Sequence, residues 1–202
     1  MSRKLIAILR GITPNESEAV AEILIDKGFD WIEVPLNSPD VLVSIERIAK
    51  RVGHIAHVGA GTVTEVEEVA CIFNAGGTYI VSPNYNAAVI QQTKSLGMGS
   101  YPGVFTPSEC FAALKAGADA LKLFPVSMMG TSGVKAIRSV LPADTDLYAV
   151  GGVSAQNLAE WGDCGVDGYG IGSALYKPGK SLADIAVSAQ RFVEAYDNRG
   201  GG

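Results

Sequence analysis

Eight short apolar runs recur along 202 residues, and amphipathic or turn-rich segments separate them. That alternation predicts an α/β chain with a parallel sheet and right-handed crossovers. Eight units in this length fit a TIM-type (β/α)8 barrel. A third observation agrees: the ends of the runs carry chemically unusual residues, namely Arg10, Glu33, Thr62, Pro83, Lys122, Gly151-Gly152 and Gly172-Ser173. In such barrels the chemistry sits where strands end and loops begin. The alternative, an open doubly wound sheet, would carry a glycine-rich nucleotide loop after the first strand. Arg10-Gly11-Ile12-Thr13 is not one.

The predicted strands are Leu5 to Leu9, Trp31 to Leu36, Ile55 to Val58, Tyr79 to Val81, Ser100 to Val104, Ala120 to Phe124, Leu147 to Val150 and Gly168 to Ile171. The fifth is weak, because Pro102 and Gly103 interrupt it. Pro14 opens a helix to about Lys27, which Gly28 ends. Further helices follow Ser38-Pro39, run from Thr64 to Ala75, and start at Thr106-Pro107 to reach Lys115. The last two span Ser132 to Val140 and Leu182 to Ala195. Residues 1–197 read as one barrel domain, and 198–202 as a flexible tail.

Composition narrows the function. With 48% hydrophobic and 18% charged residues the chain reads as an ordinary globular protein. A formal charge of −5 and no Lys/Arg-rich run argue against nucleic acid as partner. No apolar run approaches the ~20 residues that span a bilayer, and Met1 to Arg10 does not read as a signal peptide. Cys71, Cys110 and Cys164 form no Cys-x-x-Cys pair and read as buried thiols of a cytoplasmic protein. His54 and His57 lack clustered carboxylates, so no metal site is expected.

Two charged residues stand in apolar strands. In Leu121-Lys122-Leu123, alternation sends the leucines to one face and Lys122 to the other. A lysine turned inward is costly unless paired or neutralised, and desolvation lowers its pKa. That is how an amine becomes nucleophilic near neutral pH, ready to form a Schiff base with a ketone. A lysine snorkelling to solvent is the plainer alternative. By the same alternation Glu33, between Ile32 and Val34, faces the interior as a proton carrier or as half of an ion pair with Arg10 or Lys122. Arg10 offers a planar fork for a carboxylate or phosphate, or is a surface arginine. Thr62 offers a hydroxyl to a ligand, or caps a helix. Gly151-Gly152 and Gly172-Ser173 follow the last two strands, where backbone N–H groups and a helix N-terminus receive phosphate.

The segments Ile8-Leu9-Arg10-Gly11-Ile12, Ile32-Glu33-Val34-Pro35-Leu36-Asn37-Ser38, Gly59-Ala60-Gly61-Thr62-Val63, Val81-Ser82-Pro83-Asn84, Leu121-Lys122-Leu123-Phe124-Pro125, Ala149-Val150-Gly151-Gly152-Val153 and Gly172-Ser173 span essentially the full length. In these the chain resembles the bacterial class I aldolases that cleave 2-keto-3-deoxy-6-phospho-sugar acids. The resemblance implies Lys122 as Schiff-base lysine and Glu33 as acid/base. It places Arg10 and Thr62 on the carboxylate and keto end of the substrate, with Pro83 and Phe124 also in the binding site. Gly152, Gly172 and Ser173 would hold the phosphate, and Gly151 belongs to the same substrate-binding set. It further implies pyruvate as product, no cofactor and a homotrimer. Gluconate-type sequences tend to have Pro-Thr-Gly-Gly where this chain has Ala149-Val150-Gly151-Gly152, which points to the galactonate substrate. Two other classes compete: a phosphate-binding barrel that isomerises or condenses without a covalent lysine, and a non-catalytic sugar-phosphate binder. The first leaves a mid-strand lysine facing a glutamate unexplained, and the second would bind sugar phosphates without turnover.

Overall fold

The structure, a computed structural model, describes residues 3–199. Its strands are β1 (Leu5–Ile8), β2 (Trp31–Pro35), β3 (His57–Gly61), β4 (Tyr79–Val81), β5 (Gly99–Tyr101), β6 (Gly103–Val104), β7 (Leu121–Leu123), β8 (Leu147–Val150) and β9 (Gly168–Ile171). All pairings are parallel, in the order β5-β4-β3-β2-β1-β9-β8-β7-β6. The two ends of that order, β5 and β6, are one run of chain parted at Pro102, which has no N–H to give a ladder. The weak fifth strand is therefore present, but divided into two. The sheet closes on itself as a (β/α)8 barrel, and an open sheet is excluded.

The helices are α1 (Pro14–Asp26), α2 (Val41–Val52), α3 (Val66–Asn74), α4 (Ala87–Ser95), α5 (Pro107–Ala116), α6 (Val126–Arg138), α7 (Leu158–Gly162) and α8 (Leu182–Asp197). Capping explains several boundaries. Thr106 accepts from the Glu109 N–H, and the Glu109 carboxylate accepts in return from the Thr106 N–H. Ser181 accepts from Asp184 to open α8.

Some boundaries differ from expectation. β3 begins two residues later than the predicted run, because Ile55 is exposed in a turn, and it continues through Gly59 and Gly61. α6 starts at Val126 but breaks at Gly130 (φ 69°, ψ 168°), so only its second half corresponds to the predicted helix. Helix α4 is not among the predicted helices: it is nine residues long and buries only Val89, Ile90 and Thr93, too short a stripe to show a period. Of the expected tail, Asn198 caps α8 and the Arg199 guanidinium lies 3.4 Å from the Tyr196 ring centroid; Gly200, Gly201 and Gly202 lie outside the described residues.

Strand alternation creates two cores. Outward residues such as Leu5, Ala7, Ile32, Val34, Leu121, Leu123, Ala149 and Tyr169 pack under the helices. Inward residues form a separate cluster of Ile6, Ile8, Tyr79, Val81, Ala120, Tyr148 and Val150, with Trp31, Tyr101 and Phe124 against it. Four aromatics floor the interior, Trp31, Tyr79, Tyr101 and Tyr148, in edge contacts of 4.9 to 5.7 Å between centroids. Inward glycines make room for these rings. A Cβ on Gly168 would lie 2.3 Å from Tyr148 Cε1.

Gly168→Ala should therefore destabilise the barrel by overpacking, by about 1–3 kcal/mol. A lower urea midpoint at unchanged m-value would register it.

Candidate active site

Lys122 lies on β7 between Leu121 and Leu123, which are fully buried on the helix side. It points into the barrel at 6% exposure, so it does not snorkel. Its Nζ sits 4.7 Å from the centroid of the Phe124 ring, two residues along on the same face. Glu33, 2% exposed, projects inward from β2. No salt bridge within 4.0 Å joins Glu33 to Lys122 or to Arg10, so the structural ion pair is excluded.

Burial dominates both groups. It raises the Glu33 pKa against the opposing pull of Lys122 and Arg10. It lowers the Lys122 pKa, Arg10 adds to the lowering, and Glu33 opposes it. Magnitudes agree with that order. Two unit charges at 4 Å gain about 4 kcal/mol at an effective dielectric of ~20, less when farther apart. The desolvation penalty is several kcal/mol for each ion. Burial thus draws both groups toward their neutral forms, and the free amine is the form that attacks a carbonyl.

A neighbouring strand fixes the carboxyl group. A Cβ on Gly61 would lie 1.8 Å from Glu33 Oε1, so only glycine there lets the side chain lie across β3. Below it, Gly59 pairs with Glu33 on one side and Tyr79 on the other, and the Tyr79 ring covers Gly59. The Tyr79 hydroxyl is buried and has no hydrogen-bond partner among the described residues.

The mouth of the barrel carries the rest. Arg10 donates through Nη1 to Asn37 Oδ1 at 2.6 Å and to Thr62 Oγ1 at 3.5 Å. Although Arg10 is exposed, it lines a cavity of about 370 Å³ and is no free surface arginine. Thr62 is not a helix cap, since Glu65 caps α3. Its backbone is left-handed (φ 61°), a conformation rare for a non-glycine residue and of a kind found at ligand sites.

Phe124, Gly151, Gly152, Gly172 and Ser173 all line the same cavity. Gly151 and Gly152 have φ of 95° and 85°, and the N–H groups of Gly152, Ser173 and Ala174 meet no acceptor among the described residues. The expected helix start after the last strand is a single turn instead, with Leu175 and Tyr176 N–H donating to Gly172 O. Pro83 lies apart from that cavity, its carbonyl 2.4 Å from where a Gly103 Cβ would be.

Three features of the site were not anticipated: the Gly61 seat for Glu33, Asn37 as anchor of Arg10, and Lys177 on the cavity wall. The sequence signal that could have found the first is the glycines of Gly59-Ala60-Gly61, since glycine within a strand marks a close approach. One thiol reading is corrected: Cys71 is exposed, because it faces outward on α3, while Cys110 and Cys164 are buried. No group of three or more metal-ligating side chains occurs among the described residues.

A closed parallel barrel with a buried amine and carboxyl group beneath a cation-lined mouth has the build of an aldolase-type barrel enzyme. The chain belongs to the KDPG and KHG aldolase family, whose model matches residues 1–183. Aldolases of this family are lyases. The chain is 48% identical over 202 residues to the "Probable 2-dehydro-3-deoxy-6-phosphogalactonate aldolase" of Rhizobium meliloti, covering 100% of this chain and 95% of that one. It is 48% identical over 192 residues to the "2-dehydro-3-deoxy-6-phosphogalactonate aldolase" of Escherichia coli K12, with 95% and 94% covered. A solved structure described as "Native KDPGal structure" superposes with TM-score 0.98 at 46% identity, covering 100% of this chain and 98% of that one.

At low reagent concentration, an amine-selective reagent such as trinitrobenzenesulfonate should modify Lys122 with an apparent pKa below the ordinary 10.5. Glu33→Gln removes the one charge that raises this pKa, so the midpoint should move further down. Peptide-resolved modification rates against pH would show the order of the two midpoints.

Proposed function

We propose that this chain cleaves 2-dehydro-3-deoxy-6-phospho-D-galactonate to pyruvate and D-glyceraldehyde 3-phosphate through a Schiff base on Lys122. The observation that carries the reading is the inward amine of Lys122, buried, free of any ion pair and facing the Glu33 carboxyl group. The neutral Nζ adds to the C2 ketone, and the Glu33 carboxyl group gives the proton with which the carbinolamine loses water, leaving a protonated imine and a Glu33 carboxylate. Glu33, directly or through a water, takes the C4 hydroxyl proton. The C3–C4 bond then breaks, and its electron pair flows into the imine to leave an enamine. The aldehyde departs, the enamine regains a proton at C3, and water releases pyruvate from the lysine.

Arg10, oriented by Asn37, and the Thr62 hydroxyl are suited to the substrate carboxylate and keto end. The unpaired N–H groups of Gly152 and Ser173 suit the phosphate, the first presented by the left-handed turn at Gly151 and Gly152. Phe124 holds the lysine head from one side. Pro83 belongs to this set as a support for the adjacent Gly103 strand. The active form is a homotrimer in the cytoplasm; the three free cysteines fit a reducing compartment, and no helix among the described residues is long and apolar enough to cross a membrane.

The galactonate epimer is favoured over the gluconate one by the names of the relatives at 48% identity and by Val150, which lines the cavity without a hydroxyl to bond the C4 substituent. In a coupled pyruvate assay kcat/KM for the galactonate epimer should exceed that for the gluconate epimer by about tenfold or more. Equal values, or a preference for the gluconate epimer, would refute this assignment.

A further inference from the structure

We infer that Lys177 is a second cation of the substrate site, one that selects for the doubly charged phosphate end. This rests on the phosphate-bearing substrate proposed above and adds to it a residue from the loop between β9 and α8. The cavity at the barrel mouth is lined by two cationic side chains, Arg10 and Lys177, and by no aspartate or glutamate. In a chain of formal charge −5 that is a local reversal of sign.

In the function proposed above Arg10 serves the carboxylate end, where it is held through Nη1 by Asn37 and Thr62. Lys177 is not so held: its ammonium makes no ion pair or hydrogen bond among the described residues, whereas Lys4, Lys27, Lys50 and Lys94 each pair with a carboxylate. Lys115 and Lys135 also lack a pair, but they sit in the last turns of α5 and α6, where the helix dipole favours a cation. Lys177 is exposed, in no helix, and stands on the cavity wall, where its ammonium is free to meet an anion.

The loop that carries Lys177 is held in place. Gly11 (φ 83°) lets Pro178 pack against the turn after β1, since a Cβ there would lie 2.8 Å from Pro178 Cγ. That turn is fixed in its own right, the Gly11 N–H donating to Ser38 Oγ at 2.9 Å. Lys180 Nζ closes the far side, donating to Leu175 O and to Ser188 Oγ, both at 2.7 Å. Lys177 therefore stands on a braced loop, at the wall that also carries the unpaired N–H groups of Ser173 and Ala174. Backbone donors supply direction for an anion, and an ammonium adds full charge that distinguishes a phosphate ester from a free hydroxyl.

The test compares kcat/KM for the phosphorylated sugar acid with that for its unphosphorylated counterpart in wild type, Lys177→Met and Lys177→Arg. In Lys177→Met the ratio of the two should fall about tenfold, through KM rather than kcat, as expected for loss of one charge-assisted contact. Lys177→Arg should restore most of it. An unchanged ratio, or equal losses on both substrates, overturns the inference. Calorimetric titration with inorganic phosphate reads the same contact without turnover. Wild type should bind phosphate more tightly than Lys177→Met; equal binding, or none by wild type, also overturns it. If wild type cleaves neither sugar acid yet binds phosphate in a Lys177-dependent way, the proposed substrate fails and the cation site stands.

Discussion

Desolvation of two opposed ionisable groups is the constraint on which the rest of this structure depends. Lys122 and Glu33 are both turned into a barrel whose interior is otherwise apolar and aromatic. A contact ion pair would have returned part of the burial cost as Coulomb energy and left an inert salt bridge. The barrel holds them apart instead, so burial decides their proton affinities and moves both toward their neutral forms. An amine kept uncharged for part of the time is what covalent attack on a ketone needs.

The surrounding architecture serves that separation. Trp31, Tyr79, Tyr101 and Tyr148 fill the floor below the pair. Glycines on neighbouring strands take up the volume of the rings and of the Glu33 side chain. Gly61 is the sharpest case: any larger residue would occupy the place of the carboxyl group. Above the pair, the loops after β1, β2 and β9 brace one another through Arg10, Asn37, Ser38 and Pro178. A rigid rim with cations and free N–H groups is preorganised for a ligand with a negative charge at each end.

Much of this was legible in the sequence because strand alternation is a strict period of two. Leu121-Lys122-Leu123 and Ile32-Glu33-Val34 each declare which way the charged residue points, and the structure bears out both directions. Pro102 marked the fifth strand as weak, and its missing N–H is where the strand divides. Other features depend on tertiary contacts that no local pattern encodes. The seat at Gly61 exists because β3 lies beside β2 in one register. Lys177 follows an ordinary Leu-Tyr pair and gains meaning only when its loop folds over the cavity. Gly130 hides the first turn of α6 from any helical period, and the exposure of Cys71 depends on which face of α3 meets the barrel.

The most direct test of the central claim is borohydride reduction of the protein in the presence of pyruvate, followed by peptide mass analysis. The account predicts one stable adduct, with the mass of a reduced pyruvate imine, on Lys122, and none in Lys122→Ala. No adduct on the wild-type protein, or the same adduct in Lys122→Ala, would contradict it.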